Sequence, residues 1–324
     1  MFNIVRYTPD KKNVWDDVID QSDNAHFMIK RDFMDYHSDR FEDYSFLIQR
    51  EEDGSIIGVI AGNKREDVWY SHQGLTFGGV FFLPKHNRTS NYINIMEVLD
   101  AELSKAGCKR MVYKFLPHIY HRSPCEADFF AMNNIGIDIL YSEASTAVDL
   151  RVQKKPSNLR SRGKKKAVKL GVEVQESSDY KSFWGILEQR LEGKYDKKPV
   201  HSLDEIILLK DRFPENISLF AALDSKGYVV AGSVIFETNT VAHAQYIASS
   251  PEGQESGALD LLFLHLIDHY RDLGKRYFDF GISTENKGKL LNEPLIQFKE
   301  GFGGGTILHL TAERNLDFPC SRCD

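Results

Sequence analysis

The stretch Ser218–Tyr246, SLFAALDSKGYVVAGSVIFETNTVAHAQY, predicts three consecutive β-strands joined by two short polar turns. Apolar and small residues dominate the three segments between the turns, as expected of strands that contribute to a buried sheet. Asp224-Ser225-Lys226-Gly227 is typical of a hairpin turn, because such turns favour Asp and Gly. The stretch therefore predicts a meander of three strands.

The same order of elements occurs earlier in the chain, in Ser45–His72, SFLIQREEDGSIIGVIAGNKREDVWYSH. Each stretch is followed by a segment of helical apolar spacing that ends near a glycine, Gly107 or Gly274, and then by a short aromatic strand, CKRMVYKF or KRYFDFGI. A crossover helix generally returns the chain parallel to the strand before it. The sequence thus predicts an α/β (α+β) protein of two similar domains, residues 1–152 and 153–324, each with a mixed, mostly antiparallel sheet flanked by helices.

Length, composition and charge restrict the class of protein. The chain has 324 residues, which favours two domains, and its 42% apolar content is sufficient for folded cores. A net charge of −6 argues against a DNA-binding protein, although it leaves room for a local basic surface. Without an apolar segment of secretory or membrane-spanning type, the sequence predicts a cytoplasmic protein.

Cysteine and histidine spacing predicts no metal site. The four cysteines are unevenly spaced, and Cys320 and Cys323 form only half of a zinc-ribbon pattern. His118 and His121 are three residues apart, but Pro117 and Pro124 flank them and favour a loop.

The repeated pattern resembles the GNAT acyltransferase fold, present twice, and the tandem arrangement resembles the Fem-type (FemAB-like) peptidyltransferases, which add amino acids to cell-wall precursors. The resemblance covers nearly the whole chain, and its main motifs are LRSRGKKKAVKLGVEV, AHAQYIASSPEGQESGALDLLF, YFDFGISTEN and LIQFKEGFGG. Three further segments, SHQGLTFGG, PHIYHR and PVHSLDEI, are similar to a bacterial branch linked to surface-polysaccharide synthesis. The resemblance implies two tandem GNAT-like domains. The long coiled-coil arm of some Fem-type proteins is missing.

In the GNAT fold the reaction takes place where the strands before and after the central helix diverge, which here are VAHAQYIAS and YFDFGIS. Strict alternation would place His243 and Gln245 on one face of the first strand, and Ala244 and Tyr246 on the other. The candidate catalytic residues are Glu285 or His243 as base, Tyr246 as acid and Lys299 as oxyanion stabiliser. The candidate substrate-binding residues are Gln245, Asp279, His72, His201, Arg160 and Arg162. A purely structural role is the alternative for His243, Tyr246 and Asp279.

The resemblance also implies a donor site at the start of the second central helix, where backbone N–H groups and the helix dipole favour a pyrophosphate. The candidate cofactor-binding residues are Gln254, Ser256, Gly257 and Ala258, and the implied co-substrate is acyl-CoA. Leu259 departs from the usual signature, which ends in a small residue. Aminoacyl-tRNA, the donor of the Fem-type relatives, is the alternative. The first half has no glycine at the equivalent place, so the second half is predicted to bind the donor.

A basic run surrounds Arg160 and Arg162 and continues through Lys164, Lys165, Lys166 and Lys169. It predicts either a binding site for the phosphates of a lipid-linked diphosphate, a nucleotide sugar or tRNA, or a solvated helix face. The predicted activity is transfer of an acyl or aminoacyl group to an amine of a sugar or cell-envelope precursor. The acceptor would be a small molecule or a lipid-linked sugar, which is compatible with peripheral membrane contact. A non-catalytic protein that binds a phosphorylated glycan intermediate or a partner protein is the alternative.

Overall fold

The computed structural model describes residues 2–152, 154–195 and 198–317, and these form two compact units. Of these residues, the first unit contains 2–143 and 308–317, and the second contains those between 144 and 307. This division differs from the domain boundary predicted after residue 152. The last part of the chain belongs to the first unit, so the second unit is one continuous segment and the first is not.

The first unit has its strands in two sheets. Its helices are α1 (Lys12–Gln21), α2 (Arg31–Met34), α3 (Thr89–Lys105) and α4 (Ala127–Asn134). Its strands are β1 (Phe2–Arg6), β2 (Glu42–Asp43), β3 (Phe46–Arg50), β4 (Ile56–Ala61), β5 (Asn63–Arg65), β6 (Val68–Tyr70), β7 (Gly79–Phe82) and β8 (Arg110–Lys114). One sheet is antiparallel in the order β1-β3-β4-β7, and the other includes the parallel pair of β6 and β8.

The predicted meander of Ser45–His72 is only partly present. β3 and β4 pair as predicted, but the last strand of the segment, β6, pairs with the short β5 and with β8, and not with β4. β7, which follows the segment, takes the place beside β4. The hairpin of β5 and β6 is local, whereas the pairing of the three-residue β6 with β8 depends on long-range contacts that local periodicity does not encode.

The second unit contains the predicted meander in full. Its strands are β10 (Glu173–Ser177), β11 (Ile217–Leu223), β12 (Val229–Glu237), β13 (Val241–Ser249), β14 (Tyr277–Ile282), β15 (Thr284–Glu285) and β16 (Leu290–Leu291). Its helices are α5 (Asn158–Lys169), α6 (Tyr180–Tyr195), α7 (Leu203–Arg212), α8 (Pro251–Ser256), α9 (Ala258–Asp272) and α10 (Glu293–Glu300). The chain passes between the units within β9 (Asp138–Asp149) and β17 (Gly305–Asn315).

β10 to β13 pair antiparallel in sequence order, β13 pairs parallel with β14, and β14 pairs antiparallel with the end of β9. The turn between β11 and β12 is the predicted hairpin. The Asp224 carboxylate accepts the backbone N–H groups of Lys226 and Tyr228, and Gly227 has φ +85°. The fold class and the mixed, mostly antiparallel sheet of this half are therefore confirmed.

α9 is the predicted central helix, and it packs its apolar face on one side of the sheet. Leu262, Phe263 and Leu266 join Ala244 of β13 and Phe278 of β14 in one buried cluster. α6 approaches the opposite side, where the Trp184 ring meets the Tyr246 ring edge-on with centroids 5.0 Å apart. α9 thus covers one face of the sheet, and Tyr246 of β13 is directed to the other, where α6 packs.

Candidate active site

The two central strands of the second unit separate at one defined point. β13 and β14 pair in register from Val241–Tyr277 to His243–Asp279, which is the last pair. Beyond it β13 continues along β12, while β14 bulges at Phe280 and Gly281 before it rejoins β9 at Ile282. Diverging strands leave backbone and side-chain groups open to a ligand, and the predicted reaction site lies at this kind of position.

His243 and Asp279 lie at the point of separation and bind each other. His243 Nδ1 is 2.9 Å from Asp279 Oδ2, and the carboxylate is fully buried. The other oxygen, Oδ1, accepts the Ser145 hydroxyl at 2.6 Å and the Gly281 backbone N–H at 3.0 Å. An ionised carboxylate only accepts hydrogen bonds, so it places the imidazole proton on Nδ1 and leaves Nε2 as an acceptor. This arrangement is suited to general-base catalysis.

Gly281 borders the imidazole. It has φ +75°, and a Cβ added there would lie 3.3 Å from His243 Cε1 and 4.0 Å from Nε2. Glycine at this position supplies the left-handed backbone of the bulge, and it keeps side-chain atoms away from the nitrogen that would act as base.

A β-bulge corrects the predicted faces of β13. Val234 pairs with Tyr246, but Ile235 pairs with Ala244, so Gln245 is the extra residue. Strict alternation is interrupted there, and His243 and Tyr246 lie on the same face of the sheet. The prediction that they point to opposite faces was wrong, because a bulge depends on pairing with β12 and leaves no periodic signal in the sequence.

Tyr246 is held by His201, a residue from the segment before α7. The Tyr246 hydroxyl accepts the His201 backbone N–H at 3.1 Å and lies 2.5 Å from His201 Nδ1. Both side chains are buried. Ser202 caps α7 with a reciprocal capping box to Glu205, which fixes the chain next to His201. The structure thus brings two predicted site residues into direct contact.

Lys299 is buried at the bulge of β14. Its Nζ donates to the backbone carbonyls of Gly281 at 2.8 Å and Ile282 at 2.7 Å. Burial lowers the pKa of the ammonium to about 8, while the Asp279 carboxylate opposes this shift. The side chain therefore ties α10 to the segment that carries Asp279. Phe298, the residue before Lys299, is half-buried; it packs against the apolar cluster beside Phe302, and the Arg160 guanidinium lies over its ring.

Glu285, the alternative base, makes its side-chain hydrogen bond outside the group of His243, Asp279 and Ser145. It is exposed in the short β15–β16 hairpin, and its Oε1 accepts the Asn292 side-chain amide at 3.2 Å. Ser145 was not predicted as a site residue. It lies 134 positions before Asp279 in the chain, and nothing in its local sequence indicates that contact.

The predicted donor loop is folded into α8. Gln254 Nε2 donates to the Ser249 carbonyl, the Ser256 hydroxyl donates to the Gly253 carbonyl, and Ala258 is fully buried. Gly257 has φ +79°, and a Cβ there would lie 2.8 Å from the Gly163 carbonyl oxygen of α5. The start of α9 is thus covered by another helix of the same unit, and the structure gives Gly257 a packing role.

We expect Gly257→Val to lower the free energy of unfolding rather than to act selectively on donor binding. Valine is strained at positive φ, and its side chain would overlap α5. The expected loss is about 2–4 kcal/mol, from backbone strain together with overpacking. Urea unfolding measures it, with Gly274→Val as control, since Gly274 also has positive φ but nothing lies within 4 Å of its Cβ position. Equal losses in the two variants would contradict the packing role.

The basic run forms α5, where Arg160 and Arg162 differ in their surroundings. The Arg160 guanidinium is 2.5 Å from the Asp260 carboxylate of α9, and both side chains are largely buried. Arg162 is exposed. Joint binding of one phosphate by these two arginines stays a prediction.

His72 belongs to the first unit. It is buried, has φ +71°, and stacks on His37 with ring centroids 5.3 Å apart. Burial and the nearby His37, Arg31 and Lys114 lower its pKa to about 3.

The metal prediction concerns the whole chain. Within residues 2–152, 154–195 and 198–317, no group of three or more His, Cys, Asp and Glu side chains has a metal-binding arrangement. Cys320 and Cys323 lie outside the described residues.

Comparisons with known proteins agree with this architecture. Residues 156–292 match the family model described as Acetyltransferase (GNAT) domain. The structure of FemX is similar at 11% identity over 97% of each chain, with a TM-score of 0.68. The structure of L-PGS from Bacillus licheniformis is similar at 14% identity, with a TM-score of 0.61, over 95% of this chain and 92% of that chain.

A tandem GNAT protein from the clavulanic acid biosynthesis pathway is similar at 12% identity, with a TM-score of 0.52, over 98% of this chain and 99% of that chain. No curated protein matches the chain by sequence. The chain is therefore a protein of tandem GNAT fold, similar to FemX, and its residues 156–292 match the GNAT acetyltransferase family.

Proposed function

We propose that the chain transfers an acyl or aminoacyl group to an amine of a sugar or cell-envelope precursor, with His243 as general base. The observation that carries this proposal is the buried His243–Asp279–Ser145 series at the point where β13 and β14 separate. The family match and the fold support acyl or aminoacyl transfer in general. The cell-envelope acceptor draws support from the similarity of the fold to FemX and to L-PGS from Bacillus licheniformis.

The chemistry follows from the direction of the hydrogen bonds. His243 Nε2 would take a proton from the attacking amine while a nitrogen–carbon bond forms to the donor carbonyl. The imidazole thereby gains a second N–H and becomes an imidazolium, and the buried Asp279 carboxylate stabilises its charge. The bond to the donor's leaving group breaks, and that group takes up a proton. Tyr246 lies on the same face as His243, and its hydroxyl, held by His201, is the proposed acid.

Lys299 would act in this scheme by positioning the site. Its two carbonyl contacts fix the backbone of Gly281 and Ile282, immediately after Asp279. The Gly281 N–H in turn donates to the Asp279 carboxylate. The ammonium therefore supports the orientation of His243 through Gly281 and Asp279. Stabilisation of an oxyanion by Lys299 is a second role that we propose.

The donor is either acyl-CoA or aminoacyl-tRNA, and one observation bears on the choice. A CoA pyrophosphate in the usual position needs the backbone N–H groups at the start of the central helix. Here Gly163 of α5 lies against Gly257, and the Arg160–Asp260 ion pair occupies the first turn of α9. This packing favours a donor that does not depend on the helix start, such as aminoacyl-tRNA. The same observation favours the alternative function, a non-catalytic protein that binds a phosphorylated glycan intermediate.

A transfer assay tests the proposal. Purified protein is incubated with radiolabelled acetyl-CoA or with charged tRNA and a mixture of amine-bearing cell-envelope precursors, and labelled amide product is measured. We expect product with at least one donor. Saturable binding of a precursor without any product from either donor class would instead support the non-catalytic alternative.

A further inference from the structure

The most basic part of the chain is the segment that contains α5. Residues 150–172 contain nine Lys and Arg residues and no Asp or Glu. The rest of the chain then carries a net charge of −15, which is the −6 of the whole less the +9 of this segment. The proposed transfer chemistry uses none of the exposed side chains of α5, so this charge separation needs another explanation.

The geometry of α5 separates its buried and outward faces. Gly163 and Ala167 face α9, and Arg160 is neutralised there by Asp260. With 100° between successive residues, the opposite face is formed by residues that are all exposed: Arg162, Lys165, Lys166 and Lys169. These four cations project from one side of a single helix and form a compact positive surface, here called the outward basic face.

Aliphatic side chains flank the outward basic face. Leu159 is 57% exposed, Val168 58% and Leu170 51%. Leu159 and Leu170 are 11 positions apart, which is three helical turns, so they extend in line beside Arg162 and Lys166. A helix whose basic face has exposed aliphatic groups on its flanks can bind at the surface of a bilayer. Its aliphatic groups enter the headgroup region, and its cations bind anionic headgroups.

We propose that α5 is a peripheral docking surface for an anionic membrane, formed by the outward basic face and its aliphatic flanks. Each Lys or Arg near such a surface strengthens binding, and the strongly acidic remainder of the chain orients this face toward it. A nucleic-acid phosphate backbone would also attract the cations but would leave Leu159, Val168 and Leu170 in water, which favours the membrane as occupant. Among the described residues no helix is long and apolar enough to span a bilayer.

Vesicle co-sedimentation tests the proposal on the full chain. The vesicles contain phosphatidylglycerol and phosphatidylcholine in equal amounts, or phosphatidylcholine alone. We expect binding only to the anionic vesicles. The quadruple variant Arg162→Gln, Lys165→Gln, Lys166→Gln, Lys169→Gln should lower the partition coefficient about 100-fold or more, given the contribution of each cation near an anionic surface.

The matched control removes four positive charges elsewhere, at Lys85, Lys105, Lys109 and Lys226, each to Gln; all four are exposed. We expect this control to bind nearly as the wild type does, and circular dichroism melting checks that both variants fold. Equal loss in the two quadruple variants would mean that binding follows net charge alone, and the docking surface would be wrong.

The aliphatic flanks have a separate readout. Leu159→Gln with Leu170→Gln should weaken vesicle binding several-fold at raised salt, where the electrostatic contribution is screened. Binding of bulk tRNA is measured beside vesicle binding. If the wild type binds no vesicles, and the quadruple α5 variant loses only its binding to tRNA, the membrane proposal is wrong and α5 is a nucleic-acid surface. None of these measurements depends on transfer activity. Failure of the membrane proposal is therefore distinguishable from failure of the proposed function.

Discussion

Replacing His243 by Gln is expected to lower the rate of transfer about 100- to 10,000-fold, the range contributed by a positioned general base. Glutamine keeps a hydrogen-bonding amide near Asp279 but cannot take up a proton at neutral pH. The melting temperature should change little in comparison, because the side chain is at the end of a strand pair and not in the apolar cluster. The measurement is the initial rate with the donor identified by the transfer assay.

Two further variants test whether the loss is specific to the His243–Asp279 pair. Asp279→Asn should cause a comparable loss, since an amide no longer fixes the proton on Nδ1 or stabilises an imidazolium. His265→Gln, an exposed histidine on α9, is the matched control and should keep wild-type activity. Wild-type rates in a folded His243→Gln protein would show that the His243–Asp279 pair is structural, and Glu285 would become the candidate base.

The first unit is expected to lose stability steeply as the pH falls below about 6.5, the ordinary pKa of histidine. Burial lowers the pKa of His26 and His72 to about 3 and of His121 to about 4. Neither ring nitrogen of His26 has a hydrogen-bond partner, and the Phe77 and Phe81 rings meet it edge-on. These histidines stay neutral in the folded chain while the unfolded chain takes up protons.

The change of the free energy of unfolding with pH follows from the difference in protons bound by the folded and the unfolded chain. Above pH 6.5 the histidines are neutral in both states and the stability is fully present, and it is lost as the pH falls toward the folded pKa values. Three such groups would together lower the free energy of unfolding by at most about 4 kcal/mol per pH unit between roughly pH 6 and pH 4. Urea titrations at several pH values measure this slope.

His26→Phe isolates one of the three contributions. An aromatic ring of similar shape should keep the contacts with Phe77 and Phe81 while removing one titrating group. We expect the slope to fall by about one third, which amounts to a gain in stability of up to about 3 kcal/mol at pH 4. An unchanged slope in His26→Phe would show that His26 becomes solvated before the unit unfolds.

Several features of the fold could be predicted from the sequence because they depend on local patterns. Apolar periodicity predicted β11, β12 and β13 and the helices α3 and α9, and glycine punctuation predicted where those helices end. The Asp224–Gly227 hairpin followed from turn chemistry alone. His243 and Asp279 could be selected as candidates because the resemblance to the GNAT fold places the reaction between the two strands that contain them.

The tertiary structure alone decided how these residues are arranged. The Gln245 bulge brought His243 and Tyr246 to one face, and Ser145 reached Asp279 from a strand 134 positions away. Packing of Gly163 against Gly257 covered the predicted donor loop, and Lys299 turned to the carbonyls of Gly281 and Ile282. Side-chain type and spacing determine which local elements form. Bulges, close helix contacts and buried hydrogen bonds depend on which distant segments meet, and that information is not periodic in the sequence.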